Sequence, residues 1–338
     1  MGSVISIEES QQAEQAEQQQ AEQAAQSEPP TEQEATPEEW NIVEEIRILR
    51  EQKNNQTTNL NSLSFANRKY GWKRDKLDPR DHYRTFKHPT LGYPLTSSKV
   101  DLRNKCPHVY DQGSLGSCTA NAIAFAYEYD QIKQHEVHIF TPSRLFIYYN
   151  ERTMEGTVDY DAGAEIRDGI KSVNMQGICT EQEWPYNIYK FTVKPDNRCY
   201  EEGKKNHSVA YKRINMHLDE MKNCLHNGLP FVFGFVVCES FEQIGRDGVM
   251  MIPDENEDIL GGHAVAAVGY DDNMEANGEK GYFIIRNSWG KNWGTESGHF
   301  YMPYNFITNP KYCSDFWTIE RITDPKPIHP TKHHRKIN

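Results

Sequence analysis

The apolar residues of this chain change their spacing once, and that change limits the folds open to it. From Cys118 to Lys133 they recur at helical intervals, and Asp161 to Met175 forms a second helical stretch. After Pro230 the chain turns to short apolar runs separated by Gly and Asp, which are typical of strands. These runs are Phe231–Phe233, Ala264–Val268, Tyr282–Ile285 and His299–Met302. A helical half followed by a strand-rich half predicts an α+β domain with a cleft between two lobes.

The first 39 residues are unlike the rest of the chain in composition. They hold ten Glu and no Asp, Lys or Arg, so they carry most of the net charge of −12. Residues 8–35 contain almost no large apolar side chain, so they cannot bury enough surface to offset their ordering entropy. We expect residues 1–39 to be a disordered acidic tail or a solvated helix that forms transiently. The nearly neutral remainder gives no electrostatic case for nucleic-acid binding.

Between this tail and the main domain, residues 40–95 combine a helix, a linker and a candidate pro-segment. A capping box at 36–39, followed by apolar residues on one face, predicts an amphipathic helix. Asn, Gln, Thr and Ser dominate 53–65, which indicates a linker. The stretch 68–86 is basic and aromatic, and we interpret it as an extended, docked segment. Two placements stay open for it. It could lie in or beside the cleft and make the protein latent, or it could pack on the back of a lobe.

We place the main folded domain at 96–324 and a mobile tail at 325–338. His329, His333 and His334 of that tail could bind a metal, but no carboxylate or Cys framework accompanies them. We therefore interpret the tail as solvated and expect neither a metal nor a cofactor.

Targeting signals are few in this sequence. No stretch approaches the about 18–20 apolar residues of a membrane span, and no signal peptide opens the chain. We therefore expect an intracellular protein in a reducing compartment, where disulfides rarely persist. The seven Cys are an odd number, so at least one is free or paired between chains. Gly2 and Ser6 fit the N-myristoylation pattern, although the acidic tail behind them does not favour anionic lipid.

Cys118 opens the first helical stretch, directly after a Gly-rich run that begins at Gln112. The dipole at a helix N-terminus stabilises a thiolate, and small preceding residues let a substrate backbone approach. Gln112 carries a side-chain amide that could reach a developing oxyanion, with the backbone N–H of Cys118 as the second donor. These features predict a thiol nucleophile beside an oxyanion site.

A thiol nucleophile needs a base, and His263 is placed to be one. It stands between small residues at the head of an apolar strand, where it can face a cleft. Asn287, just after the strand that ends at Ile285, can accept a hydrogen bond from the other ring nitrogen and fix the tautomer. Trp289 could shield that hydrogen bond from water. Together these residues predict a nucleophile, a base and an orienting amide.

Three segments resemble the signature blocks of papain-like cysteine peptidases, in the family's order and at similar separations. They are Gln112–Ala120, Gly262–Ala264 and Asn287–Gly294. The segment Gly177–Tyr186 resembles a further block, and the resemblance covers about residues 100–320. It implies a papain-like two-lobed fold, with a helical lobe and a β-rich lobe. It also implies substrate-binding residues, which we place at Gly163 and Trp289.

The departures from the family's secreted members agree with a reduced setting. Leu115 stands where those members carry a bridged Cys, and Thr119 stands where Trp usually follows the nucleophile. The chain more closely resembles the disulfide-poor branch of bacteria, archaea and large DNA viruses, so packaging in a virion stays open. We expect the six other cysteines to be inert core residues. We expect three histidines to be surface or packing residues: His217, His226 and His299.

We therefore predict a papain-like cysteine endopeptidase that cuts a peptide or protein substrate through a thioester acyl-enzyme and acts as a monomer. Cys118 attacks, His263 protonates the leaving amine, Asn287 orients His263, and Gln112 binds the oxyanion. One alternative is an amidase or transpeptidase on the same scaffold. Another is a silent binding protein, which is less favoured because the catalytic residues are intact.

Overall fold

The computed structural model of the protein describes residues 68–84, 97–136, 138–244, 247–295 and 297–322. The predicted acidic tail, the helix after the capping box, the linker and the histidine-containing tail lie outside these residues, and so does Gly2. None of the helices in the described part of the chain has the length and apolarity that a bilayer crossing requires.

Four helices build the first lobe. They are α1 (Cys118–Lys133), α2 (Arg144–Glu155), α3 (Ile166–Gln176) and α4 (Asn197–Gly203). α1 is the centre of the lobe, and every residue from Cys118 to Gln131 is buried. α2 and α3 pack against it, and strands of the second lobe cover its other side. A helix covered all round needs no polar face, and this one begins and ends where the spacing predicts.

Local signals set both ends of α2, a helix that the sequence analysis did not predict. Ser143 Oγ accepts a hydrogen bond from the Phe146 N–H at 3.2 Å, as an N-cap should. Gly156 ends the helix in the left-handed conformation, with φ 73°. The cap and the stop were therefore present in the sequence.

The N-terminal segment joins the first lobe through a two-stranded sheet. Strand β1 (Trp72–Lys73) pairs in parallel with β3 (Ala164–Glu165). The helix predicted over 161–175 starts later, at Ile166, because Ala164 and Glu165 belong to this strand pair. The segment is therefore docked, as the sequence indicated.

An antiparallel seven-stranded sheet builds the second lobe. Its strands are β2 (Lys99–Asp101), β4 (Ser208–Arg213), β5 (Phe231–Cys238), β6 (Ile259–Ala276), β7 (Glu279–Arg286), β8 (His299–Pro303) and β9 (Cys313–Ile322). The order is β4-β9-β5-β6-β7-β8, and β2 pairs with β6. Three short helices belong to this half of the chain: α5 (Leu218–His226), α6 (Glu239–Glu242) and α7 (Tyr304–Ile307). One-turn 3-10 helices occur at Arg103–Lys105 and Ile188–Lys190.

The core of the second lobe lies on β5 and β6. β6 is buried from His263 to Tyr270, and it turns into β7 through Asn277 and Gly278. Both turn residues have positive φ, 50° and 78°, which matches the right-handed twist of a hairpin. The four predicted strand runs lie within β5, β6, β7 and β8. The predicted α+β, two-lobed architecture is therefore confirmed, while β4 and β9 were not foreseen.

Candidate active site

The predicted nucleophile, base and orienting amide come from three elements that meet between the lobes. Cys118 is the first residue of α1, His263 lies in the buried part of β6, and Asn287 directly follows β7. β6 and β7 are paired, with Ala266 opposite Arg286, so His263 and Asn287 lie close together. Because α1 packs against β6, Cys118 comes to the same place. The structure thus brings together all three residues.

The contacts of His263 determine its tautomer. Its Nε2 lies 2.8 Å from Asn287 Oδ1, and the Ser288 N–H donates to the same oxygen at 2.8 Å. Because that amide oxygen can only accept, His263 Nε2 must carry the proton. Nδ1 then keeps its lone pair and has no hydrogen-bond partner among the described residues. It is the ring nitrogen available to a thiol proton.

The Cys118 sulfur lies close to the backbone that carries this base. The backbone N–H groups of Ala264, the residue after His263, and of Gly71 face the sulfur and lower the pKa of its thiol. Cys118 and His263 are both 0% exposed. Burial raises the pKa of the Cys118 thiol to about 12 and lowers the pKa of His263 to about 4. The resting pair is therefore a neutral thiol and a neutral imidazole, which is a weak nucleophile.

Gln112 is oriented by Ser288, a residue that the sequence analysis did not single out. Ser288 Oγ donates to Gln112 Oε1 at 2.6 Å, so Nε2 of Gln112 turns the other way, where it donates to the Lys69 carbonyl at 3.1 Å. Ser288 therefore orients the amides of both Gln112 and Asn287. Its position directly after Asn287 was the only signal in the sequence that could have pointed to it.

Trp289 covers the hydrogen bond between His263 and Asn287. Its ring stacks on the imidazole, with the centroids 4.9 Å apart and an interplanar angle of 29°. Tyr70 of the N-terminal segment packs on both rings, 6.1 Å from His263 and 6.2 Å from Trp289. Water is thus kept from this hydrogen bond, and Tyr70 takes the place at Trp289 that was predicted for substrate.

Gly163, predicted to bind substrate backbone, also faces the N-terminal segment. Its φ is +66°, and a Cβ there would overlap the carbonyl of Gly71. The next residue, Ala164, donates its N–H to that carbonyl at 2.8 Å. On the other side, a Cβ on Gly71 would overlap the carbonyl of Gly116. Only a glycine fits at position 71, because the backbone there passes between the loop before α1 and strand β3.

Trp72 fills a slot in the second lobe. Its indole lies over Gly234 of β5, where a Cβ would overlap the ring, and against Gly262 of β6. The Trp72 side chain is buried, and the glycines at these two positions of neighbouring strands make room for it. On the opposite flank, the Tyr70 hydroxyl donates to Glu242 at 2.5 Å. Residues 69–72 therefore occupy the cleft on both sides of Cys118.

Two acidic residues of the segment, Asp75 and Asp81, contact the catalytic domain outside the cleft. The Asp75 carboxylate accepts hydrogen bonds from Trp317 Nε1 at 2.9 Å, Arg213 at 3.1 Å and the Arg167 N–H at 3.1 Å. Asp81 accepts from the guanidinium groups of both arginines, at 3.3 and 3.2 Å. Two carboxylates of the segment therefore meet two arginines of the catalytic domain.

The Asp75 carboxyl is poised to titrate near neutral pH. Burial and the neighbouring Asp315 carboxylate raise the pKa of Asp75 to about 7, and they outweigh the donors from Trp317 and Arg213. The Asp75 N–H also donates to Asp315 at 2.8 Å, which keeps the two residues together.

The other predicted thiols and histidines take no part in this centre. All seven cysteines are free; Cys106 is half-buried and the rest are buried. His299 is buried, whereas His217 and His226 are exposed at the two ends of α5. Within the part of the chain that the structure describes, no cluster of His, Cys, Asp and Glu is arranged to hold a metal ion.

The chain belongs to the papain family of cysteine proteases, whose family model matches residues 96–314. The protein is therefore a papain-like cysteine peptidase, a hydrolase. An uncharacterised peptidase C1-like protein of Acanthamoeba polyphaga mimivirus, L477, is 43% identical over 286 residues, which are 78% of this chain and 90% of that protein. The probable cysteine protease RD21C of Arabidopsis thaliana is 30% identical over 212 residues, 61% of this chain and 42% of that one.

A solved structure also resembles this chain. Xylellain, a cysteine protease from Xylella fastidiosa, is 42% identical and superposes with a TM-score of 0.67 over 75% of this chain and 96% of its own. A viral and a bacterial relative of this similarity confirm the predicted resemblance to that branch of the family.

Proposed function

We propose that the protein is an endopeptidase in which Cys118, His263 and Asn287 hydrolyse peptide bonds of a peptide or protein substrate. The observation that supports this most is the arrangement of His263. Its Nε2–H is bound to Asn287, and its unpartnered Nδ1 lies beside the backbone that contacts the Cys118 sulfur. A base held in this way can take the thiol proton and pass it to a leaving amine.

Acylation follows once the segment leaves the cleft. Water then reaches Cys118 and His263, so the free-energy cost of ionising them falls. The thiol proton can then move to Nδ1 of His263. The Cys118 thiolate attacks the carbonyl carbon of the substrate, and the oxyanion accepts hydrogen bonds from Gln112 Nε2 and the Cys118 N–H. As the C–N bond breaks, Nδ1–H protonates the amine, which leaves a thioester on Cys118.

Deacylation uses the same residues in reverse. His263 Nδ1 takes a proton from a water molecule, and the hydroxide attacks the thioester carbonyl. The C–S bond breaks, the carboxylic product leaves, and the sulfur recovers its starting state. Through both steps the Asn287 amide keeps the imidazole in one tautomer and orientation, while Trp289 keeps water away from their hydrogen bond.

The full-length protein is latent in this proposal, because residues 69–72 occupy the groups that catalysis needs. Gln112 Nε2 donates to the Lys69 carbonyl, and the Gly71 N–H faces the Cys118 sulfur. The removal of water also holds the thiol and the imidazole in their neutral forms. Catalysis therefore begins only when the segment is displaced or removed.

Active-site titration with a thiol-directed epoxide tests this proposal. Full-length protein should label slowly and turn over dipeptide amides slowly, whereas protein lacking residues 1–96 should do both quickly. The count of titrated sites corrects for any unfolded fraction. Equal activity per titrated site in the two forms would contradict latency and leave residues 68–84 with a structural role only.

The same assay separates the remaining alternatives. An amidase or transpeptidase would label with the epoxide but would not cleave a broad peptide library, and a transpeptidase would join the acyl group to an added amine. A silent binding protein would neither label nor turn over substrate. We favour the peptidase because Gln112 and His263 are both oriented by partners on the β-rich lobe, Ser288 and Asn287.

A further inference from the structure

Two cysteines that the proposed chemistry does not use lie side by side in the helical lobe. Cys179 follows α3 and Cys199 lies in α4, and they are 0% and 1% exposed. Each thiol lies near enough to the other to affect its pKa. The sequence analysis treated both as inert core thiols, but two neighbouring thiols can be joined by a two-electron oxidation.

The residues on both sides of Cys179 are hydrogen-bonded to α4 and to the turn that follows it. The residue before it, Ile178, donates its N–H to the Asn206 carbonyl at 2.9 Å. The residue after it donates its N–H to Glu202 Oε2 at 3.4 Å. Cys199 lies one helical turn before Glu202, so these contacts keep the two cysteines adjacent.

The loop between the two cysteines reaches the oxyanion site. It carries Tyr186, whose hydroxyl donates to the Gln112 carbonyl at 2.8 Å and lies 2.5 Å from Ser117 Oγ. Ser117 is the residue before the nucleophile, at the start of α1. A covalent bond between the two cysteines that flank this loop would limit the motion of the loop, and with it the motion of Tyr186 against Gln112.

We propose that Cys179 and Cys199 form a disulfide under oxidising conditions and that this bond braces the loop that supports Gln112. With a small disulfide as the oxidant, one thiolate attacks its S–S bond and releases one small thiol. The second cysteine then attacks the mixed disulfide and releases the other small thiol. Two protein thiols and one disulfide become one protein disulfide and two small thiols, so electrons and protons balance. This inference does not depend on peptidase activity.

The test uses the full chain with Cys118→Ser, so that the nucleophile cannot react. The protein is incubated with oxidised glutathione, and timed samples are blocked with a maleimide and digested with trypsin without reductant. The bond would link the peptides 172–190 and 199–204. We expect this linked pair to form before the isolated buried thiol of Cys313 is modified. We also expect the oxidised protein to melt at least about 5 °C above the reduced protein, because the link constrains the unfolded chain.

Two variants in the same background serve as matched controls. Cys199→Ser should abolish both the linked peptides and the rise in melting temperature, whereas Cys313→Ser should keep both. Each variant is compared with its own reduced form, so the effect of the substitution on folding cancels. The proposal is overturned if Cys179 and Cys199 are still free thiols after Cys313 has reacted. It is also overturned if the linked peptides form without a rise in melting temperature.

Discussion

The backbone carbonyl of Lys69 accepts a hydrogen bond from Nε2 of Gln112 at 3.1 Å. That amide is the donor assigned to the oxyanion, so the segment occupies it in the resting protein. The Cys118 sulfur meets the N–H of Gly71 instead, and Tyr70 separates the two contacts. The Lys69 carbonyl at Gln112 and the Gly71 N–H at the sulfur thus belong to different peptide units. The segment therefore fills the centre without offering a peptide bond for cleavage, and the latency that we propose depends on how tightly it docks.

Trp72→Ala should open the cleft of the full-length protein. The indole is buried in its slot, and removing a buried Trp side chain costs about 3–5 kcal/mol. A docking loss of about 3 kcal/mol corresponds to roughly a hundredfold larger open fraction. The rate at which an epoxide labels Cys118 should therefore rise by about that factor.

Leu77→Ala is the control for this substitution, because Leu77 lies in the same segment and is 97% exposed. It should leave the labelling rate unchanged. If Trp72→Ala labels no faster than Leu77→Ala, the filled slot is not what protects Cys118.

Ser288→Ala should lower kcat by about 10- to 100-fold with little change in KM. The substitution removes the hydroxyl that fixes the Gln112 amide, so the donor to the oxyanion is no longer held in place. Ser314→Ala is a matched control, because Ser314 Oγ is buried without a hydrogen-bond partner among the residues that the structure describes, so its loss should cost little. Steady-state kinetics on protein lacking residues 1–96 provide the measurement, and equal kcat values for the two variants would remove Ser288 from the proposed mechanism.

Cys118→Ala and His263→Ala should each reduce kcat/KM by at least about a thousandfold, because each removes a group that forms or breaks a bond. Asn287→Ala should cost less, about a hundredfold, because Asn287 orients the base and transfers no proton. Cys313→Ala provides a buried thiol control with no role in the centre. Near-normal turnover by Cys118→Ala would show that the nucleophile has been misassigned.

Docking of the segment should strengthen as the pH falls from about 8 to 5. Asp75 has a pKa of about 7 when docked, against an ordinary value of 3.8, so protonation favours the docked form. The stabilisation of the docked form is complete below the ordinary pKa of 3.8 and is lost as the pH rises through 7. Between these values the docking equilibrium constant should fall by up to about tenfold per pH unit. In the proposed mechanism the thiol proton moves to His263 when the centre opens, so the pair holds one proton in both states and should add little in this range. Exchange protection of the Ala164 N–H, corrected for its intrinsic rate, reports docking.

Asp75→Asn should remove this pH dependence, since the amide does not titrate. The difference between the two proteins isolates Asp75 from every other group that the segment covers. A profile of the same slope in Asp75→Asn would mean that another group carries the pH dependence.

The residues proposed for catalysis could be singled out, and expected to lie together, because each lies in a short stretch of sequence whose pattern suits its proposed role. Cys118 stands at a predicted helix start behind small residues, and His263 heads an apolar strand. The role of Ser288 could not be predicted in this way. Its hydroxyl acts on Gln112, which is 176 positions away, and no local pattern encodes a contact of that range.

The placement of the segment stayed open for the same reason. Aromatic and charged residues at 68–86 predicted docking, but the slot for Trp72 is made by glycines on two distant strands, Gly234 and Gly262. A glycine in a strand does not show which side chain will occupy the space above it. The slot is defined only when β5 and β6 are paired and the Trp72 ring lies across both strands.

The contacts of Arg167 and Arg213 with Asp75 and Asp81 link the proposed latency to the stability of the catalytic domain. When the segment leaves, Arg167 and Arg213 lose these two carboxylates, and the slot of Trp72 opens to water. If the segment is removed in activation, as proposed, we expect the remaining domain to be less stable than the full-length protein and to unfold sooner. Activation would then also start the loss of the active enzyme, so each molecule would work for a limited period.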